Sequence, residues 1–325
     1  MVMIGISGNC AAAELSLFET SLLQKMNFFD GTLRRDMKEV EPLTFLKVIY
    51  DNKSNEDTVS ICSGFRVQQK NNRFFVATAR HCINFDELNA CDQKQIKVAP
   101  ADSSGGYYFG TCKKIIASSE DEDLFIMEVQ IASSLGNSST LFESKVKETF
   151  PGYNLASYLP AAGTPLVVSG FPTDPTRQGK ATITEKCEIL PENAQDSIYA
   201  MPLDERARLL EIFETARSQL PEAVSEYLSK LNITQLKHNC SVYKGNSGGP
   251  ARIEGTKDIV GIPHDSWLEL MKSVPRYFAR NLEATATFVK RHRKILEEQG
   301  IEISDSMPKV RLRPSPAELK KIKTI

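Results

Sequence analysis

Short apolar runs, separated by turn residues, dominate residues 43–262 and constrain the fold more than any other feature. The runs are rich in β-branched and aromatic residues, and glycine, proline, asparagine or aspartate punctuates them. They cover residues 44–50, 58–67, 73–79, 123–129, 164–171, 181–190 and 258–262. Because no regular helices alternate with them, the pattern predicts a mainly β fold, an antiparallel barrel or sandwich rather than a βαβ sheet.

Two segments depart from this β pattern. Residues 202–231 place apolar side chains at helical spacing around Pro221, which predicts a helical insertion. Residues 266–299 show a similar spacing that includes Tyr277 and Leu282, and Gly300 follows as a stop signal. We therefore expect a helical extension after the β region.

The charge balance argues against nucleic acid as a partner, because 40 basic residues face 41 acidic ones and the net charge is -1. No uncharged apolar run is long enough for a membrane-spanning helix, so the chain is not expected to be integral to a membrane. Residues 267–325 carry thirteen Lys or Arg against seven Asp or Glu. This local excess indicates either a solvated helix face with a basic tail or a contact with an anionic surface.

The cysteines favour an oxidising compartment. Residues 1–13 contain a short apolar stretch and a small-residue run without a preceding basic residue, which indicates either an atypical signal peptide or an ordinary buried start. Loss of Cys10 with such a peptide would leave six of the seven cysteines, an even set without a CxxC pair. We predict three disulfides in a secreted or periplasmic protein, with no metal and no cofactor; scattered cytosolic thiols are the alternative.

The string KGNSGGP at residues 244–250 is the strongest candidate for chemistry. Glycines on both sides of Ser247 allow a tight turn that leaves the hydroxyl exposed. The amides of Gly245 and Ser247, with Asn246 between them, would form an oxyanion hole for a tetrahedral intermediate. Short Gly-Ser-Gly strings also occur in flexible loops, but the complete string is much rarer.

A serine nucleophile needs a general base, and the chain has four histidines. His81 lies two residues after the apolar run 73–79 and is the histidine best placed to act as the general base. Asp123 opens the run 123–129, where a carboxylate can orient the base, and Asp121 is the alternative within an acidic run typical of a solvated loop. The other histidines are predicted to be surface or packing residues: His238, His264 and His292.

Residues 245–249 also satisfy G-x-S-x-G, the nucleophile pattern of α/β-hydrolases. That fold needs its acid and histidine after the serine, within a parallel sheet. Here the segment after Ser247 is predicted to be helical and basic, and the strands before it do not alternate with helices. The order and the architecture both exclude the α/β-hydrolase interpretation.

The order His81, Asp123, Ser247, in the motifs TARHC, DLFIMEV and GNSGGP, resembles the trypsin-like (chymotrypsin-fold) serine proteases. The string GTPLVVSGFP, residues 163–172, is similar to a strand of bacterial trypsin-like and glutamyl-endopeptidase-like members. The resemblance implies two antiparallel six-stranded β-barrels with the triad between them. It also implies a serine endopeptidase that cleaves proteins or peptides through an acyl-enzyme. A protease-fold binding or regulatory protein with a masked or inactive site is the alternative.

With this resemblance the chain divides into five parts. A possible signal peptide (1–13) and an N-terminal segment (14–42) precede the first barrel (43–150), the second barrel (151–265, with the insertion 202–231) and the helical extension with its basic tail (266–325).

The resemblance also implies a disulfide between Cys62 and Cys82, which ties the histidine loop to its neighbouring strand. Two further bridges are predicted from proximity in the strand pattern and not from the family. They are Cys91–Cys112 in the first barrel and Cys187–Cys240 in the second.

Several positions depart from the family or bear on specificity. Arg80 stands before the histidine where a small residue is usual, and the chain has no Ile-Val-Gly-Gly-like start for activation by a new N-terminus. By the family's spacing Ser241 falls at the bottom of the substrate pocket, so no aspartate is there to bind Lys or Arg. His264 resembles the histidine with which glutamyl endopeptidases bind acidic side chains, and Lys244 adds positive charge, so acidic substrates are one candidate class.

Overall fold

The structure is a computed structural model that describes most of the β region and the C-terminal helix. The described residues are 46–51, 59–83, 87–101, 107–132, 139–150, 152–171, 182–190, 235–238, 240, 246–263 and 281–312. The predicted signal peptide, N-terminal segment and helical insertion lie outside these residues.

The first six strands close into an antiparallel barrel, in the order β1-β2-β3-β6-β5-β4. They are β1 (Leu46–Asp51), β2 (Val59–Val67), β3 (Phe75–Ala79), β4 (Ile96–Pro100), β5 (Gly110–Ser119) and β6 (Leu124–Ile131). Every residue of β3 is buried, as are all but one of β6. The predicted six-stranded first barrel is therefore confirmed.

Eight further strands form a second sheet, whose main path runs β10-β13-β12-β11-β8-β9, while β7 pairs in parallel with β12 and β14. They are β7 (Asn154–Ala156), β8 (Pro165–Gly170), β9 (Thr182–Glu188), β10 (Gln235–Lys237), β11 (Ala251–Ile253), β12 (Asp258–Pro263), β13 (Asn281–Ala284) and β14 (Ile303–Ser304). Where the resemblance implies a closed six-stranded barrel, the described strands form this eight-stranded sheet. The fold is mainly β, with a closed six-stranded barrel and a second sheet.

The C-terminal region is part of the second sheet as well as a helical extension. Leu282, which the sequence pattern assigns to a helix, lies in β13 and pairs with Pro263 of β12. Strand β14 pairs with β7, so two strands beyond residue 265 complete the sheet. The predicted helix begins later, at Thr285, and its end agrees with the stop signal, because Gly300 adopts the left-handed φ of +72°. The predicted helical residue Tyr277 lies outside the described residues.

Within the part of the chain that the structure describes, there are three helices: α1 (Glu87–Asp92), α2 (Thr140–Thr149) and α3 (Thr285–Glu298). A 3-10 turn, Arg80–Cys82, follows β3. The Ser139 hydroxyl accepts a hydrogen bond from the Phe142 amide and so caps the start of α2. Among the described helices, none is long and apolar enough to cross a membrane.

One apolar core joins the barrel to helix α3. The barrel residues Phe65, Phe75 and Phe125 belong to the same buried cluster as Phe288 and Leu296 of α3. Because both helix side chains are fully buried, α3 is held at a fixed position against the barrel. From this position α3 also reaches the turn that carries Asp123, because Arg291 of the helix pairs with Glu122 of the turn.

We expect Phe288→Ala to lower the free energy of unfolding by about 3–5 kcal/mol, because it removes a fully buried ring from this core. The matched control on the same helix is Ile295→Ala, where 38% of the residue is exposed and a change of about 0.5 kcal/mol is expected. Denaturant unfolding measures both. Equal losses in the two variants would show that α3 is not anchored through Phe288.

Candidate active site

Strand pairing brings His81 and Asp123 together. In the antiparallel pair β3 and β6, Ala79 lies opposite Leu124. His81 follows Ala79 by two residues and Asp123 directly precedes Leu124, so both leave the barrel at the same end. The run of apolar residues that builds each strand therefore also places the polar residue at its end.

The Asp123 carboxylate binds His81 through both of its oxygens. Oδ1 accepts the His81 backbone N–H at 2.7 Å, and Oδ2 lies 2.6 Å from His81 Nδ1. The carboxylate is 7% exposed while the imidazole is 38% exposed. A buried carboxylate facing Nδ1 selects the tautomer with the proton on Nδ1, which leaves Nε2 free of that proton and able to accept another.

Asp123 occupies an unusual backbone conformation. Its φ is +46°, in the left-handed region that few residues other than glycine adopt, although aspartate is among the more tolerant. Such a residue costs about 1–3 kcal/mol and persists only where its surroundings hold it. The Asp123 carbonyl accepts the Arg80 N–H at 2.9 Å, which is one such restraint.

The serine loop lies against the end of β3. Gly249 N–H donates to the Asn246 carbonyl at 2.8 Å, which closes the predicted tight turn around Ser247. Gly248 has a φ of +76°, and a Cβ there would lie 2.3 Å from Thr78 Oγ1 and 2.5 Å from the Ala79 nitrogen. Only glycine fits this approach, which brings the serine loop to within two residues of His81 along the chain. Ser247 as a whole residue is 4% exposed, whereas the sequence pattern predicts an exposed hydroxyl.

Ser63, which sequence reasoning did not single out, joins the serine loop to the barrel. This fully buried residue of β2 donates its backbone N–H to the Ser247 carbonyl at 3.0 Å. Its carbonyl accepts the Thr78 hydroxyl at 2.7 Å, and its own hydroxyl accepts the Phe171 N–H at 2.9 Å. One residue therefore links the serine loop, β3 and the end of β8.

The three predicted disulfides are present, at Cys62–Cys82, Cys91–Cys112 and Cys187–Cys240. The first joins the neighbour of Ser63 to the neighbour of His81, so it fastens the histidine turn to the strand that binds the serine loop. The side chains of Cys62, Cys82 and His81 lie close enough together to be considered as metal ligands, with their candidate ligand atoms within 4.8 Å of one another. The two sulfurs are bonded to each other and are therefore not thiolates available to a metal.

Asn246 is buried beside the serine with an unusual polar environment. The residue is 1% exposed, and among the described residues neither its carboxamide oxygen nor its nitrogen has a hydrogen-bond partner. Gly170 of β8 packs directly on it, since a Cβ at Gly170 would lie 2.8 Å from Asn246 Cα. Asn246 is thus a neutral side chain buried without hydrogen-bond partners among the described residues. A charged side chain at this position would be strongly destabilising.

The remaining predicted residues separate clearly. Asp121 is 73% exposed and does not contact His81, so Asp123 is the acid that the fold pairs with the histidine. His238 is fully buried and accepts the Cys240 N–H through Nδ1, and the His292 ring packs on Phe288 with centroids 4.5 Å apart. Both are packing histidines, as expected.

Four predicted residues lie outside the described part of the chain: Ser241, Lys244, Gly245 and His264.

The Arg80 guanidinium binds a carboxylate and a backbone carbonyl near the histidine. Its guanidinium lies 3.5 Å from the Glu120 carboxylate and donates to the Ile83 carbonyl at 2.5 Å. The Arg80 charge is therefore directed toward Glu120 and the backbone after the histidine.

The acidic run before Asp123 is only partly the solvated loop that the sequence pattern predicts. Glu120 and Asp121 are exposed, with side chains 85% and 73% exposed, but Glu122 is 1% exposed. Glu122 accepts a hydrogen bond from the Ser119 hydroxyl and forms an ion pair with Arg291 of α3 at 3.0 Å. One buried carboxylate among exposed ones in a run of four residues produces no periodic pattern. The burial of Glu122 could therefore not be predicted from the sequence.

No protein-family model and no curated protein matches the sequence. Solved structures similar to the chain include the scabies mite inactivated protease paralogue S-D1, with 14% identity and a TM-score of 0.47 over 80% of this chain and 94% of that one. The active form of the Rv3671c protease from M. tuberculosis has 15% identity and a TM-score of 0.42, covering 83% and 84%. GrC has 13% identity and a TM-score of 0.47, covering 80% and 97%. At such identities and scores the chemistry must be argued from this chain's own residues.

We expect Asn246→Asp to destabilise the protein at neutral pH by about 3–5 kcal/mol, because it places an unpaired carboxylate in a buried position. Burial raises the pKa of such a carboxyl, so the folded state binds its proton more tightly than the unfolded state does. The penalty is therefore largest at high pH and shrinks as the pH falls toward 4.

The matched control is Asn71→Asp, in an exposed turn. Denaturant unfolding between pH 4 and pH 8 should show a pH-dependent loss for Asn246→Asp and almost none for Asn71→Asp. A pH-independent loss in Asn246→Asp would mean that its carboxyl is not buried.

Proposed function

We propose that the chain is a serine endopeptidase in which Ser247 is the nucleophile, His81 the general base and Asp123 the residue that orients it. The observation that carries the proposal is the bond between the buried Asp123 carboxylate and His81 Nδ1 at 2.6 Å, at the same end of β3 on which the serine loop packs. An acid and a base paired in this way next to a glycine-bounded serine are the elements of acyl transfer.

In the proposed mechanism, Ser247 Oγ attacks the substrate carbonyl while its proton passes to His81 Nε2. Asp123 stabilises the resulting imidazolium through Nδ1 and is not itself protonated. The amides of Gly245 and Ser247, flanking Asn246, hold the oxyanion. His81 then returns its proton to the leaving amine, and water, deprotonated by the same histidine, releases the acyl group and restores the Ser247 hydroxyl.

The substrate is proposed to be a protein or peptide, with the pocket formed around Ser241, Lys244 and His264. The absence of an aspartate at Ser241 argues against Lys or Arg specificity, and the positive charge of Lys244 favours testing acidic side chains first. Three disulfides support a secreted or periplasmic location, since such bonds persist in oxidising compartments. Contact of the basic C-terminal segment with an anionic surface remains a prediction; two of its arginines, Arg291 and Arg293, already pair with carboxylates of this chain.

A second candidate function is a protease-fold binding or regulatory protein whose serine is masked. The observation that favours it is the 4% exposure of Ser247, because a substrate carbonyl must reach the hydroxyl for acylation. The two functions differ in whether Ser247 reacts with a small electrophile.

We expect intact-mass analysis after treatment with a fluorophosphonate to show one adduct on the wild-type chain. Ser247→Ala and His81→Ala should form none, and Asp123→Asn should react about ten-thousand-fold more slowly, because the base then lacks its orienting carboxylate. Ser144→Ala, which removes an exposed hydroxyl on α2, is the matched control and should react normally.

An adduct that persists in Ser247→Ala would contradict the assigned nucleophile. A folded wild-type chain that forms no adduct would favour the masked, non-cleaving protein.

A further inference from the structure

The turn that carries Asp123 connects β5 to β6. It spans Glu120–Asp123 and ends in the left-handed conformation of Asp123. Two hydrogen bonds of this turn are long: the Asp123 N–H donates to the Glu120 carbonyl at 3.3 Å, and the Glu122 N–H donates to Ser119 Oγ at 3.3 Å. Contacts from neighbouring elements therefore add to the restraint on Asp123, as the Arg80 N–H does by donating to the Asp123 carbonyl.

Glu122 connects this turn to its surroundings. Its carboxylate is almost completely buried, and Ser119 Oγ donates to one of its oxygens. The other oxygen forms the ion pair with Arg291 Nη2 at 3.0 Å. A buried carboxylate without a counter-ion is strongly unfavourable, so the ion pair with Arg291 stabilises Glu122 in its buried position.

Arg291 also binds Asp121, with Nη1 2.7 Å from Oδ2. The hydrogen bond that Arg291 donates to Asp121 and the charge of Glu122 raise the pKa of Arg291. Asp121 is 73% exposed, so its ion pair with Arg291 contributes little to the stability of the turn. The main contact between Arg291 and the turn is therefore the one with the buried Glu122. The arginine is half-exposed, but the helix that carries it is fixed by Phe288 and Leu296 in the core.

We propose that Arg291 is a positioning residue: from helix α3 it holds the buried Glu122, and through it the turn in which Asp123 orients His81. This inference rests on the proposed function, in which the Asp123–His81 pair is the acid–base element of the site. The C-terminal helix thereby takes part in the geometry of a site whose residues all lie on other elements.

The test compares Arg291→Gln, Arg291→Gln/Glu122→Gln and Arg291→Lys with the matched control Arg293→Gln. Arg293 lies on the same helix, is also paired, and binds Glu297 and Asp305 instead of the turn. The double variant removes both charges together, so it keeps the protein folded where the single variant leaves a buried carboxylate unpaired. Circular dichroism and thermal unfolding establish which variants are folded.

Two readouts follow the site. The first is the far-downfield proton resonance expected for His81 Nδ1–H, assigned by its loss in Asp123→Asn; it reports the Asp123–His81 geometry whether or not the protein is an enzyme. The second is the rate of fluorophosphonate labelling at Ser247. In the double variant we expect the resonance to move upfield or broaden and labelling to slow by about tenfold or more, since small displacements of catalytic groups are costly. Arg291→Lys should recover part of both, and Arg293→Gln should match the wild type.

A folded double variant with the wild-type resonance would overturn the proposal, because Arg291 would then serve stability alone. An equal change in Arg293→Gln would overturn it as well, since any charge lost from α3 would have the same effect. If the wild-type chain is not labelled but the resonance changes as expected, the positioning role stands and the proposed peptidase activity fails.

Discussion

The candidate active site depends on one buried carboxylate, that of Asp123. Its two oxygens bind the backbone N–H and the Nδ1 of His81, so the position of the turn and the tautomer of the ring are set by the same group. A buried carboxylate needs hydrogen-bond partners, and here a single residue, His81, provides two of them. The pairing of β3 with β6 delivers these groups to one end of the barrel. The stability of the apolar strands β3 and β6 thus holds Asp123 against His81 although the backbone of Asp123 is strained.

A second constraint joins the serine loop to this pair. Ser63 binds the Ser247 carbonyl, and Cys62 beside it is bridged to Cys82 beside His81. Gly248 allows the loop to approach β3 more closely than any side chain would permit. The serine and the histidine are therefore fastened to the same two strands of the first barrel, although Ser247 belongs to the second half of the chain.

Much of this arrangement could be predicted from the sequence because its signals are local. Apolar runs at 58–67, 73–79 and 123–129 correspond to β2, β3 and β6, and the polar residues at their ends were identified as His81 and Asp123. The contribution of Ser63 could not be predicted, since it depends on three partners distant in the chain. Glu122 belongs to an acidic run that was interpreted as a solvated loop, and its buried carboxylate pairs with Arg291, about 170 residues later in the chain. Leu282 fits a helical spacing by chance, whereas pairing with β12 places it in a strand.

The most direct test of the account is the distance between His81 Nε2 and Ser247 Oγ in an experimental crystal structure of the unmodified protein. If Ser247 is the nucleophile and His81 its general base, these atoms lie within about 3.5 Å, so that the proton of the hydroxyl can pass to the imidazole. An intact Asp123–His81 pair with the serine hydroxyl more than about 5 Å from Nε2, directed into the core, would contradict it.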